Sequence, residues 1–260
     1  MKSILPLMFL CLVLVPARGQ DEKKATLYSG KITYIECTKL DIKLEGDAAQ
    51  FAANLPKEQK TEKVLLFSND ATMFQEGSNV EEEMEMTQGE GVHIRMVPGG
   101  NNKLYTDLKN KTTLDQRDFM NRMFIVERPI IPQEWKVTGN QKNILGYNCL
   151  EAVKQDTSGK KTIAWFAPAI PVQGGPSVLN SLPGMILEAD LDNGARTYIT
   201  KSIEDISLKD LKLEKPKEGK KVSEDEFKSI IAEKMKEMGI EGDAGNGGGN
   251  QVRVWMIKRQ

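Results

Sequence analysis

Short segments in which apolar and polar residues alternate, separated by turn residues, recur along most of this chain, and that period of two is what most narrows its fold. Lys31-Ile32-Thr33-Tyr34-Ile35-Glu36 and Lys39-Leu40-Asp41-Ile42-Lys43-Leu44-Glu45 are expected to form a first pair of strands, each with one buried and one wet face. Val64 to Phe67, Val92 to Val97, Lys103 to Thr106, Met123 to Ile130, Trp135 to Thr138 and Tyr147 to Gln155 predict further strands. Thr162 to Phe166, Met185 to Asp190 and Arg196 to Ile203 follow, and Asn193-Gly194 predicts a tight hairpin between the last two. So many strands joined by short polar connections imply an antiparallel meander, not an alternating βαβ sheet. The expected fold is mainly β and α+β by content: a curved antiparallel sheet or half-barrel that needs a cover for its apolar face.

One cover is a C-terminal amphipathic helix. Ser223 and Glu226 form a capping box, Phe227, Ile230, Ile231, Met235 and Met238 share one face, and Gly239 ends the run, so the helix is expected over 223–238. Ala48 to Leu55 predicts a shorter helix. Leu213 to Lys221 reads as a charged link, Gly245 to Asn250 as a flexible spacer, and Val252 to Ile257 as an apolar run able to add an edge strand.

Met1 to Gly19 reads as a cleaved export signal: Lys2 opens it, an apolar stretch from Ile4 to Val15 follows, and Ala17-Arg18-Gly19 ends it with small residues at the recognised positions. The expected organisation is a signal over 1–19, a β domain over 20–212, and the link, helix, spacer and terminal run over 213–260. The expected location is outside the cytoplasm: periplasmic, outer-membrane associated or secreted. No later apolar run is long enough to predict a transmembrane segment after signal cleavage. Of the three cysteines, Cys37 and Cys149 then remain, and in an oxidising compartment they are a candidate disulfide; the competing reading is two buried, unreactive thiols.

Charge and residue counts narrow the chemistry. With 36 basic and 37 acidic residues the chain offers no positive field for a nucleic acid, so no nucleic-acid partner is expected. A single histidine, His93, sits in an alternating strand with no Gly-x-Ser-x-Gly elbow, and no phosphate-binding or dinucleotide fingerprint is present. No catalytic residue and no cofactor are predicted. Met84, Met86, His93 and Met96 have ligand types suited to Cu(I), a minor reading beside ordinary packing.

The most distinctive stretch runs from Ala164-Trp165-Phe166 through Pro168, Ile170-Pro171, Gly174-Gly175-Pro176 to Leu182-Pro183-Gly184. Four prolines fix φ and remove backbone donors, so this segment is expected to be a stiff apolar loop between two strands, neither helix nor central strand. An apolar loop either packs over the sheet or offers its side chains to something else. Trp165, Phe166, Ile170, Pro171, Gly175, Pro176, Leu182, Pro183 and Gly184 are the candidate ligand- or partner-binding residues.

The stretch from Trp135 through Glu188 resembles the GLPGLI family of exported bacterial proteins. Asn180-Ser181-Leu182-Pro183-Gly184-Met185-Ile186-Leu187-Glu188 is similar to its signature, with Ser181 where the first glycine stands and Met185 replacing a leucine. Trp135, Ile144, Gly146-Tyr147-x-Cys149, Ala152, Ala164-Trp165-Phe166, Ile170-Pro171 and Gly175-Pro176 match its order and spacing. The resemblance implies an envelope location and a mainly β domain, and carries no established activity. The expectation is therefore a non-enzymatic envelope protein that holds a hydrophobic ligand, lipid or peptide in a covered cavity. The alternative is an envelope protein partner, in an outer-membrane transport or assembly system, engaged through the exposed proline loop.

Overall fold

The computed structural model describes residues 26–40, 56–77, 84–88, 92–97, 102–237 and 253–257. In chain order its strands are β1 (Gly30–Lys39), β2 (Glu58–Phe67), β3 (Ala71–Glu76), β4 (Met84–Gln88), β5 (Val92–Val97), β6 (Lys103–Asp107), β7 (Thr112–Phe119) and β8 (Arg122–Pro129). Then come β9 (Lys136–Ile144), β10 (Tyr147–Gln155), β11 (Lys161–Ala167), β12 (Met185–Leu191), β13 (Arg196–Asp205), β14 (Lys220–Val222), helix α1 (Glu224–Glu237) and β15 (Arg253–Ile257). Twelve strands make one open sheet in the order β14-β8-β7-β6-β3-β2-β1-β13-β12-β11-β10-β9, and β15-β5-β4 make a second, three-stranded sheet. The mainly β expectation holds. One refinement is that the large sheet is mixed, because β14 runs parallel to β8.

The central strands explain why one sheet can bury apolar groups on both faces. Leu65, Phe74 and Leu104 lie opposite one another across β2, β3 and β6, and all belong to the main core. One position along, Leu66, Met73, Tyr105 and Leu114 form a second row on the other face, where Leu213 packs against them. The segment over 213–221, expected to be a charged link, is therefore bound to the sheet. Lys215 Nζ donates to Asp107 Oδ2 at 2.7 Å, and Gln116 Nε2 donates to Glu218 O at 2.8 Å. This back strap carries the chain from β13, in the middle of the sheet, to β14 at its far edge.

Helix α1 then covers the front of that edge. Its capping box forms in both directions: the Ser223 N–H donates to Glu226 Oε2 at 2.8 Å and the Glu226 N–H donates to Ser223 Oγ at 3.1 Å. Phe227 meets Phe119 and Phe124 edge-on, with ring centroids 6.3 and 5.3 Å away, and Val126 and Val222 close this smaller core. Ion pairs tether the first turn: Arg117 donates from Nη1 and Nη2 to Glu224, both at 3.1 Å, and from Nη2 to Asp115 Oδ2 at 2.7 Å. Arg128 bridges the same two carboxylates at 3.2 and 3.3 Å.

At the sheet's centre the core is ionic. Lys63 Nζ, 1% exposed, donates to Glu76 Oε1 at 2.6 Å and sits 3.3 Å from Glu36 Oε2. The Tyr198 hydroxyl donates to Glu36 Oε1 at 3.0 Å, and Arg196 Nε lies 3.3 Å from the same oxygen. Two carboxylates thus meet two cations, and the set is neutral only while complete.

The hairpin at Asn193-Gly194 joins β12 to β13 as expected, with Asp192, Asn193 and Gly194 all at positive φ. The expected strand over 39–45 and the helix over 48–55 lie, but for Lys39 and Leu40, outside the described residues, as do the signal over 1–19 and the spacer over 245–250. The terminal apolar run does form a strand, and it pairs with β5. In the β4–β5 hairpin Met84 lies opposite Met96 and Thr87 opposite His93; the side chains of that sheet are outside the described residues.

Two outcomes test this architecture. Replacing Lys63 by Met leaves Glu36 and Glu76 buried without their shared cation and is expected to cost about 3 to 5 kcal/mol. The double change Lys63→Met, Glu76→Gln, which keeps Glu36 paired with Arg196 and the set neutral, should recover most of that loss, and denaturant melts of the two variants measure it. Lys215 and Asn110 hold the Asp107 carboxyl down to about 2, below its ordinary value, so this carboxylate contributes stability that is complete above about pH 4 and lost as pH falls toward 2. Amide protection over the back strap, taken relative to the intrinsic exchange rate at each pH, should fall across that window in the wild type, while Asp107→Asn should already show the lower protection at pH 6.

Candidate functional site

The proline-rich segment between β11 and β12 is a loop, as its sequence requires, and it is seated directly on the main core. Ile170, Val172, Leu179 and Leu182 are each buried there together with Phe166, Met185 and Leu187. Its own backbone closes it: Val172 N donates to Ile170 O, Gly174 N to Val172 O, and Met185 N and Ile186 N return to Ile170 O and Gly174 O. The Tyr34 hydroxyl reaches across to donate to Ile186 O at 2.7 Å. Gly175 is required by closeness, since a Cβ there would stand 2.8 Å from Ile186 Cβ. Gly184, at φ +155°, would place a Cβ 2.4 Å from Ala167 O.

A second segment locks this strap from outside. Trp135 Nε1 donates to Asn180 O at 2.8 Å, the Gln133 N–H donates to Ser181 Oγ at 3.0 Å, and Gln133 Nε2 donates to Val178 O at 2.8 Å. Ser181 takes a positive φ of 72°, so the residue standing in place of a glycine adopts the glycine-like conformation. Lys154 lies 4.9 Å from the Trp135 ring and donates to Gln133 Oε1 at 2.9 Å.

The nine candidate residues thus fall into three groups. Phe166, Ile170, Leu182, Gly175, Pro176 and Gly184 are buried, Pro171 and Pro183 are exposed, and Trp165 is half-buried. Of the buried six, Phe166, Ile170 and Leu182 belong to the main core, and Gly175 and Gly184 allow the strap's backbone to approach it closely.

Trp165 belongs to a different arrangement. Its cross-strand neighbours are Glu151 on β10 and Glu188 on β12, so one row across three strands reads carboxylate, indole, carboxylate. Lys142 on β9 pairs with Glu188 and places its ammonium 4.4 Å from the Trp165 ring centroid. Glu151 Oε2 accepts from Thr138 Oγ1 at 2.6 Å and from Asn140 Nδ2 at 2.7 Å, which holds this carboxyl below its ordinary value. Sequence reading isolated Trp165 but not its partners. The available signal was a glutamate at the wet position of each flanking strand. Among the described residues no cluster of three or more histidine, cysteine or acidic side chains has metal-binding geometry.

The candidate disulfide is corrected. Cys37 and Cys149 are both free. They sit on β1 and β10, with β13, β12 and β11 between them, about 19 Å measured along the sheet and far beyond disulfide reach. Cys37 Sγ lies 3.6 Å from Glu58 Oε2, whereas Cys149 is fully buried in the core. Burial, reinforced by the charge of Glu188, pushes the Cys149 thiol up to about 12.

The comparisons with known proteins come down on one side. The family model described as the N-glycanase peptide, N-terminal domain, matches residues 52–228. Two solved structures of PNGF-II, in the P21 and C2 space groups, share the fold with TM-scores of 0.52 and 0.53 at 19% and 20% identity. Each match covers 79% of this chain and 33% of the other, so the chain spans about a third of the length of those structures. No curated protein sequence matches. The GLPGLI resemblance is overturned, because the matching model includes all of Trp135 to Glu188 and extends well beyond it. With it fall the carrier of a hydrophobic ligand, the transport or assembly partner, the copper reading and the expectation of a non-enzymatic protein, since the matching family is named for a glycanase.

Thiol labelling checks the cysteine geometry. Cys149 should resist alkylation in the folded protein and react once it is unfolded. An unfolded thiol ionises near pH 8.5, so the stabilising effect of the buried neutral form is complete below that pH and fades as pH rises toward 12. Denaturant midpoints should therefore drop above about pH 8.5, and Cys149→Ala should remove the first part of that drop.

Proposed function

We propose that this chain, which belongs to the family of the N-glycanase peptide N-terminal domain, works in the release of N-linked glycans from polypeptides and engages the glycan-bearing chain. The match over residues 52–228 carries the reading, because it takes in every strand of the large sheet but β1, the whole strap, and the first turn of α1. Architecture supports it: β10, β11 and β12 carry a half-buried row of carboxylate, indole and carboxylate at the margin of the core, which suits a hydroxyl-rich substrate better than a greasy one. The apolar run ending at Ala17-Arg18-Gly19 supports action outside the cytoplasm, where glycosylated polypeptides are met.

A paired binding and release measurement tests the proposal. The full chain is presented with one N-glycoprotein in two forms, intact and enzymatically stripped of its glycans, and the mass of the intact form is followed over time. Preferential retention of the intact form, or loss of mass equal to the glycan, supports the reading. Equal retention of both forms with no mass change overturns it.

A further inference from the structure

We infer that Glu151, Trp165 and Glu188, with Asn140 and Lys142, form a subsite for one neutral sugar ring of the glycan, an inference that rests on the reading just given. A pyranose has two kinds of surface: a face of C–H groups, which packs on an aromatic ring, and a rim of hydroxyls, each both donor and acceptor. The indole of Trp165 offers the first partner. It is half-buried, so its orientation is set by the sheet while part of the ring remains accessible. Carboxylates on both adjacent strands offer the second. Strands lie about 4.8 Å apart, so the backbones carrying Glu151 and Glu188 stand about 10 Å apart with the indole between them, a span that fits one sugar ring.

The hydrogen bonds already present pre-arrange these groups and leave capacity. Those described for the two carboxylates all end on Oε2: Thr138 and Asn140 on Glu151, and Lys142 on Glu188. Each Oε1 is left to accept a hydroxyl proton. Lys142 supplies donors to the same space from 4.4 Å above the ring. A sugar entering there displaces the ammonium from the indole while the Glu188 pair keeps it at the rim. Acceptors of this kind bond hydroxyls and repel a carboxylate, so the subsite selects neutral sugars over acidic ones.

Binding of a glycopeptide bearing a neutral N-glycan, titrated against wild type and variants, tests the subsite. Trp165→Ala is expected to weaken binding about tenfold, the effect of removing an aromatic anchor. Glu151→Gln and Asn140→Ala, both changes at the solvent-facing rim, should weaken it severalfold while thermal unfolding stays at the wild-type temperature; they keep the test decisive if Trp165→Ala fails to fold. The same glycopeptide capped with sialic acid at the contacting sugar should bind wild type more weakly than the neutral form. Wild-type binding that survives all three substitutions overturns the subsite while leaving the glycan reading intact. Absence of glycopeptide binding by the wild type overturns both.

Discussion

A sheet of twelve strands that does not close on itself has two faces to cover and two edges to end, and everything else in this molecule follows from that. Three covers share the work. The proline strap between β11 and β12 seals the front of one half, α1 seals the front at the β14 edge, and the back strap crosses behind β3, β6 and β7. The proline strap is the most economical of them. Each fully buried side chain such as Ile170 or Leu182 contributes on the order of 1.5 to 3 kcal/mol. The prolines restrict the unfolded segment, so less conformational entropy is lost when it is laid down. Backbone groups that pair with no neighbouring strand find partners within the strap and on the side chains of Gln133 and Trp135.

Polar groups set where the covers dock. Arg117 and Arg128 face into the front of β7 and β8, and their natural partners are Asp115 beside them and Glu224 at the start of α1. A helix placed one turn out of register would leave two cations half-buried with one carboxylate between them. The same logic applies to Lys63 between Glu36 and Glu76, where a slip of β2 by one residue would turn the lysine out of its site and strand both acids. These pairs add little net stability over apolar replacements, and their effect is to penalise wrong arrangements.

This division of labour explains what could be read from the sequence. The start of β10 and the middle of β13 alternate because one face meets the core and the other meets water, and the α1 capping box is local, needing only Ser223 and Glu226. β3 was hidden because Ala71, Thr72, Met73 and Phe74 are all buried, which erases the period of two. β7 was hidden for the opposite reason: Asp115, Gln116 and Arg117 are buried but polar, so between Leu114 and Phe119 nothing apolar marks the strand. The back strap looked like a solvated linker because Lys215 and Glu218 are charged, yet the ammonium of one and the backbone carbonyl of the other are what fasten it. Trp165 was legible as distinctive, whereas Glu151 and Glu188 acquire meaning only once the register places them at its sides.

The residues behind the misleading family resemblance show why such a pattern cannot report activity. Cys149, Ala152, Ala164, Phe166, Ile170 and Leu182 are core, Trp135 and Ser181 fasten the strap, and Gly175 and Gly184 permit close backbone approach. Together they specify how a proline loop is laid over three antiparallel strands, and any sheet needing that cover can converge on the same small set of side chains. In the proposed reading, substrate recognition belongs instead to positions the cover does not bury. On β11 the two are coupled through one feature: a register shift between Trp165 and Phe166 against β12. Phe166 is drawn into the core beneath the strap, and the preceding indole stands half-buried at the margin of that core between its two carboxylates. The strap thereby fixes the orientation of the row beside it, so the packing of the core and the geometry of the polar surface are settled by the same irregularity.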